Sequence, residues 1–173
     1  LLLKALLAAT LIALAEELIF RGAFFSGLYK KTGAFIAVTF TSLVYAAVHF
    51  VRYPDLITDS SIGWLTGIQM MPDAFRRFHE WAIADYFLTL FIFGVLLSLL
   101  RLKHKNIAAC IGMHAGVVML IKIADYFTNR GSNSDFDYLV SPYNSTFGWL
   151  SFFVILLFTI FYFIKIKTKR RSY

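Results

Sequence analysis

Sulfur ligands and redox pairs are nearly missing from this chain. Its one cysteine, Cys110, excludes an intramolecular disulfide framework and any metal site built from several cysteines. Apolar neighbours give that cysteine a packing role rather than a reactive one. Charge is scarce too, at 16% of residues, while 59% are hydrophobic. A soluble globular domain has about 25% charged and about 45–50% apolar residues. The zinc-peptidase signature His-Glu-x-x-His is absent, and no internal repeat is present. No basic leader or small-residue cleavage site marks the start as a signal peptide. Because Leu1 already lies within an apolar run, the chain is expected to be part of a longer protein, truncated at its N-terminus.

What is present is apolar sequence in five stretches, each near the roughly 20 residues that a membrane-spanning helix requires. They are Leu2–Phe25, Gly33–Val51, Trp81–Leu100, Ile107–Phe127 and Phe147–Lys165. The expected fold class is therefore all-α, a polytopic membrane helix bundle of about five transmembrane helices forming one domain over residues 1–173. Basic residues support the count. Lys30 and Lys31, then Arg101, Lys103 and Lys105, then Lys165, Lys167, Lys169, Arg170 and Arg171 fall in alternate connections with no acid among them. The other connections mix Arg52, Arg76, Arg77 and Arg130 with Asp55, Asp59, Asp73, Glu80, Asp135 and Asp137. This is the positive-inside pattern, which puts the C-terminus and its basic tail, 165–173, in the cytoplasm. The net charge of +7 thus reflects topology and anionic lipid, and a nucleic-acid partner is not needed. Residues 72–82 are expected to form an amphipathic interfacial segment, with His79 on its polar side. The stretch 128–146 reads as an irregular polar loop.

Ionised groups inside an apolar span cost roughly 2.5–3.5 kcal/mol each on insertion scales, so they are candidates for function. The run Ala13-Leu14-Ala15-Glu16-Glu17-Leu18-Ile19-Phe20-Arg21 holds three. Glu17 and Arg21 are four residues apart and share a helix face, with the acid on the N-terminal side, so they are expected to pair. Glu16 points about 100° away and is left for another partner. Two histidines also lie in apolar stretches, His49 and His114, the latter beside Gly112, Ala115 and Gly116. At about 1.5 Å per residue, Glu16 lies roughly 10–15 Å from the cytoplasmic end of its segment, His114 about 10 Å and His49 roughly 20 Å. A carboxylate and two imidazoles from three segments can therefore meet in the inner half of the membrane. Taken singly, each histidine reads as an interhelical hydrogen bond. His104, within the run Arg101–Lys105, is read as a surface residue.

These residues carry a family resemblance. Glu16-Glu17-Leu18-Ile19-Phe20-Arg21 resembles the Glu-Glu-x-x-x-Arg motif of the CAAX amino-terminal protease family, also called the CPBP family of intramembrane proteases. Tyr45-Ala46-Ala47-Val48-His49 is similar to its Phe-x-x-x-His motif. His114-Ala115-Gly116-Val117-Val118 is similar to its His-x-x-x-Asn or Asp motif, with Val118 at the last position. Order and spacing agree over about residues 9–120. The resemblance implies hydrolysis of a peptide bond in a membrane-associated protein or peptide, in a bacterial-type plasma membrane. Glu16 would be the general base that activates water, helped by His49. His114 would hold the water or stabilise the oxyanion, and Glu17 and Arg21 would support them. The chemistry is sound in itself, since an apolar site makes a carboxylate a stronger base.

Valine cannot donate a hydrogen bond, so position 118 leaves three alternatives: a branch that does without the group, a replacement elsewhere, or loss of activity. The family has been described both as glutamic-type and as metalloproteases. In a zinc site Glu16, His49 and His114 would be the ligands and Glu17 the base; the reading carried forward uses no cofactor. Two other functions stay open, a non-catalytic membrane scaffold or chaperone and a small transporter or proton relay.

Overall fold

The computed structural model describes residues 2–51, 63, 65–66, 83–128, 139–140 and 147–171, with side chains to residue 168. The expected interfacial segment at 72–82, His79 included, lies outside the described residues, as does most of 128–146. Every regular element described is a helix. The first rod is continuous: α1 (Leu2–Glu17) passes into a π-helical stretch (Leu18–Phe24) and then α2 (Phe25–Thr32). α3 (Ala34–Val48), α4 (Ala84–His104), α5 (Ala108–Phe127) and α6 (Trp149–Arg171) follow. Among the described residues the protein is an all-α bundle of five helical rods, one for each apolar stretch in the sequence.

The rods do not qualify equally as membrane spans. α4, α5 and residues Trp149–Thr168 of α6 are long and apolar enough to cross a bilayer. α3 is apolar but has 15 residues, about 22 Å of helix against a hydrocarbon core of about 30 Å. The first rod carries Glu16, Glu17 and Arg21 in mid-course. The outward faces are apolar throughout: Leu3, Leu7 and Leu11 on α1, Phe35 and Phe40 on α3, Leu157 and Phe161 on α6 are exposed. A surface of that kind suits lipid rather than water. The protein is an integral membrane protein.

Turn chemistry separates the rods. Gly33 has φ 84°, a left-handed value that costs glycine little, and its N–H closes the end of α2 on the Tyr29 carbonyl at 3.1 Å. At the next basic turn Lys105 takes φ 58° and donates to Arg101 O at 3.0 Å. Asn106 then serves both helices that meet there, donating to the His104 carbonyl and accepting from Ala108 N–H. Those are groups that helix ends leave without intrahelical partners.

α4 is the central rod, packed against α3, α5 and α6. Its Leu90, Phe93, Leu96, Leu97 and Leu100 are buried with Tyr45, Ala46, Phe50, Ile83 and Cys110. Cys110 packs as expected and donates to Leu97 O at 3.3 Å. α1 meets α5 along Ala5, Ala9, Ala13 and Glu17, a buried stripe at four-residue spacing. Alanines let the two backbones approach closely, and the stripe ends by delivering Glu17 into the interior. The basic ends of three rods lie together: Arg101 donates to Ser26 Oγ at 3.2 Å, and Lys103 Nζ sits 5.1 Å from the Tyr162 ring centre.

Candidate active site

The two adjacent glutamates end α1, and the helical twist sends them to different neighbours. Glu17 is fully buried. Its Oε1 accepts from Arg21 Nη1 at 3.1 Å, the expected pair, and His114 Nδ1 lies 2.8 Å from the same oxygen. Arg21 is equally buried and donates through Nη2 to the Gly94 carbonyl at 3.1 Å. Its guanidinium lies 4.5 Å from the Tyr45 ring centre. An ion pair withdrawn from solvent needs further hydrogen bonds to offset its desolvation, and this one has them in part: among the described residues Glu17 Oε2 and Arg21 Nε are buried without a hydrogen-bond partner.

The π-helical winding begins immediately after Glu17 and contains Arg21. Within it the Phe25 N–H reaches back five residues to Phe20 O. π-helical segments inside α-helices are found frequently at functional sites. The Arg21 carbonyl additionally accepts from Ser26 Oγ at 3.2 Å and from Arg101 Nε at 3.3 Å. Arg101, half-buried at the end of α4, is therefore a clamp on this turn as well as one of the basic residues of the loop.

Glu16 faces the other way, toward α3 and α5. Its Oε2 lies 3.9 Å from His49 Nε2 and 3.8 Å from His114 Nε2. The tautomers follow from the opposite ring nitrogens. His49 Nδ1 is 2.7 Å from the Tyr45 carbonyl, which only accepts, so Nδ1 carries the proton. His114 Nδ1 faces a carboxylate oxygen already paired with arginine and carries its proton for the same reason. With Nε2 unprotonated, each ring presents a lone pair toward Glu16. Three acceptors at these separations are too far apart to bond one another and suit a shared proton donor such as water. Side-chain exposure divides the two carboxylates, with Glu16 at 29% and Glu17 at 0%. Of the two, only Glu16 lines the site cavity, and its Oε2 is itself buried without a hydrogen-bond partner among the described residues.

Glu16, His49, His114 and Val118 line one cavity of about 270 Å³. Lys122 and Asp125 line it too, and the sequence reading passed over both. The signal was available: a lysine inside an apolar stretch is as conspicuous as a glutamate there. His114, Val118 and Lys122 are spaced at four residues, so one face of α5 carries all three. Gly94 was likewise overlooked. A methyl placed on it would stand 3.0 Å from Ser42 Cβ and 3.1 Å from Ser42 Cα, so α3 and α4 touch there only because residue 94 has no side chain. Its carbonyl accepts from Ser98 Oγ as well as Arg21. The Gly94-x-x-x-Ser98 spacing of small residues marks such contacts in membrane helices. His104 is exposed and touches Tyr162 through Nε2 at 3.3 Å.

The zinc alternative can be tested on these distances. The ring orientations would suit it, since ligand histidines usually donate their other nitrogen to a carbonyl or carboxylate. The spacing does not. Donors on a tetrahedral zinc with bonds of about 2.0–2.1 Å stand about 3.4 Å apart, closer than the separations of 3.8 and 3.9 Å here. Among the described residues no group of three His, Cys, Asp or Glu side chains is placed to hold a metal ion. As arranged, Glu16 stands wider from both histidines than a tetrahedral zinc would draw them.

Compared with known proteins, residues 1–120 match the family described as type II CAAX prenyl endopeptidase, Rce1-like. No curated protein and no solved structure matches the chain. The matched region spans more than half of the 173 residues and contains Glu16, Glu17, Arg21, His49, His114 and Val118. The chain therefore belongs to the Rce1-like family of type II CAAX prenyl endopeptidases, a family of intramembrane proteases.

Proposed function

We propose that this protein is a metal-independent intramembrane endopeptidase in which Glu16 activates water to hydrolyse a peptide bond of a membrane-associated protein or peptide. The observation that carries the reading is the convergence of His49 Nε2 and His114 Nε2 on Glu16 Oε2 in a cavity, while the neighbouring Glu17 is held by Arg21. Water held among the three acceptors gives a proton to Glu16 as its oxygen attacks the substrate carbonyl. The proton then passes to the amide nitrogen as the C–N bond breaks. His49 orients the water, its Nδ1–H anchored on the Tyr45 carbonyl. His114 holds the same water through Nε2, its ring fixed by the Glu17 carboxylate against Nδ1. Lys122, one turn beyond Val118, supplies the donor that valine cannot. In the membrane the basic ends of α2, α4 and α6 face the cytoplasm of a bacterial-type cell, with the C-terminus on that side.

The test is cleavage in reconstituted liposomes against a panel of membrane-associated peptides, prenylated CAAX peptides among them. The wild-type protein is expected to cleave at least one, and Glu16→Gln and His49→Ala are each expected to abolish it. Cleavage that survives Glu16→Gln overturns the reading. Val118 supports one competing reading, a scaffold without activity. That reading predicts no cleavage by the wild-type protein, and a cellular phenotype that persists when Glu16 and His49 are both replaced.

A further inference from the structure

A second cavity, of about 300 Å³, opens at the basic end of the bundle between α2 and α4. Lys30, Arg101 and Lys105 line it together with the hydroxyl-bearing Ser26 and Tyr29, and no carboxylate does. Among the described residues none of the three cations is ion-paired to an acid. Helix dipoles account for cations at the ends of α2 and α4. They do not account for three cations and two hydroxyls turned onto one concavity, where mutual repulsion opposes the arrangement until an anion enters.

Next to it lies an apolar groove of about 520 Å³, walled by Phe35 and Val38 of α3, Val95 and Leu99 of α4, and Ile160 and Phe163 of α6. Leu102 lines both cavities. A cationic pocket sharing a wall with an apolar groove, on the lipid-facing side of a membrane helix bundle, has the amphipathic outline of one phospholipid. We propose that an anionic phospholipid binds here, its phosphate among Lys30, Arg101 and Lys105 and an acyl chain along the groove. A zwitterionic headgroup brings an ammonium into the same three cations and is disfavoured.

The site is wired to the catalytic turn. Arg101 donates through Nε to the Arg21 carbonyl and through Nη2 to Ser26 Oγ, which itself donates to that carbonyl. Arg21 in turn holds Glu17, and Glu17 holds His114. A phosphate on Arg101 and Ser26 would brace the π-helical turn, so occupancy is expected to raise thermal stability. The proposal rests on charge and shape and is independent of what the protein cleaves.

Its test uses the whole chain, delipidated in detergent and then placed in nanodiscs of phosphatidylcholine alone or with one quarter phosphatidylglycerol. Phosphatidylglycerol is expected to raise the unfolding temperature and to remain bound in native mass spectrometry. Lys30→Ala with Lys105→Ala removes two exposed cations without touching the Arg101 clamp. At about fivefold per basic residue, this pair should bind phosphatidylglycerol about 30-fold more weakly. Its unfolding temperature in phosphatidylcholine should match the wild-type value. Lys103→Ala with Lys165→Ala, at the same end but outside the cavity, should leave binding within about twofold. Equal losses in both pairs would mean diffuse attraction to the surface and overturn the site. Stabilisation by inorganic phosphate equal to that by the lipid would make it a free-anion site and overturn the lipid assignment, as would equal stabilisation in both nanodiscs.

Discussion

Replacing Gly94 with alanine should break the protein at a residue that does not itself line the site cavity. The added methyl would stand 3.0 Å from Ser42 Cβ, 3.1 Å from Ser42 Cα and 3.2 Å from its Oγ. Two of these atoms are fixed by the α3 backbone, so relief requires the helices to part. Overpacking of this kind costs about 1–3 kcal/mol, a shift of roughly 5- to 150-fold in the folding equilibrium. Parting α3 from α4 also draws the Gly94 carbonyl away from Arg21 Nη2, now at 3.1 Å. A hydrogen bond to a charged donor is worth about 1.5–3 kcal/mol. The single variant should therefore lose thermal stability in detergent and lose cleavage along with it. Ser42→Gly removes the two side-chain contacts and leaves the one to Cα, so the double variant should recover part of the loss. That recovery would appear as a favourable coupling of about 0.5–3 kcal/mol in a double-mutant cycle. A Gly94→Ala protein as stable and active as the wild type, or a Ser42→Gly partner that gives no recovery, would refute the packing reasoning.

Other perturbations address the remaining parts. Arg21→Met leaves Glu17 buried without its cation, and should lower stability by about 3–5 kcal/mol in equilibrium unfolding. Arg21→Lys should recover only a fraction, because one ammonium cannot reproduce the fork that spans Glu17 and Gly94. Lys122→Met should slow cleavage about 100-fold with stability unchanged, whereas Val118→Asn in the Lys122→Met background should restore part of the rate. A Lys122→Met enzyme with the wild-type rate would remove lysine from the oxyanion assignment. Incubation with 1,10-phenanthroline should leave the rate unaltered; inhibition that added zinc reverses would establish a metal enzyme.

The helical rods were legible because lipid-facing helices are apolar on nearly every residue, as Phe153, Val154, Leu157 and Phe161 are on α6. The Glu17–Arg21 pair was legible from four-residue spacing alone. Glu16, His49 and His114 stood out because ionisable groups are rare in such a setting, and the structure brings all three together. Their partners were less visible. That His114 contacts Glu17 through Nδ1 and faces Glu16 through Nε2 depends on how α1 and α5 are rotated against each other. The alanine stripe sets that rotation, and spacing within one helix does not specify it. The π-helical winding was not visible at all, since Leu18–Phe24 has the composition of any apolar helix and its register shift is held by Arg101, 80 residues away. Gly94 was hidden because a glycine's importance lies in the neighbour that touches it.

The most direct test of the central claim sets the two adjacent carboxylates against each other. Glu16→Gln and Glu17→Gln are compared in the same liposomes for cleavage rate and for unfolding temperature. If Glu16 is the base, its variant should lose about 100- to 10,000-fold in rate with no change in unfolding temperature. Glu17→Gln, which weakens the hold on Arg21 and His114, should lose stability. A Glu16→Gln protein that keeps its rate, or one destabilised as much as Glu17→Gln, would contradict the division of roles between the two glutamates.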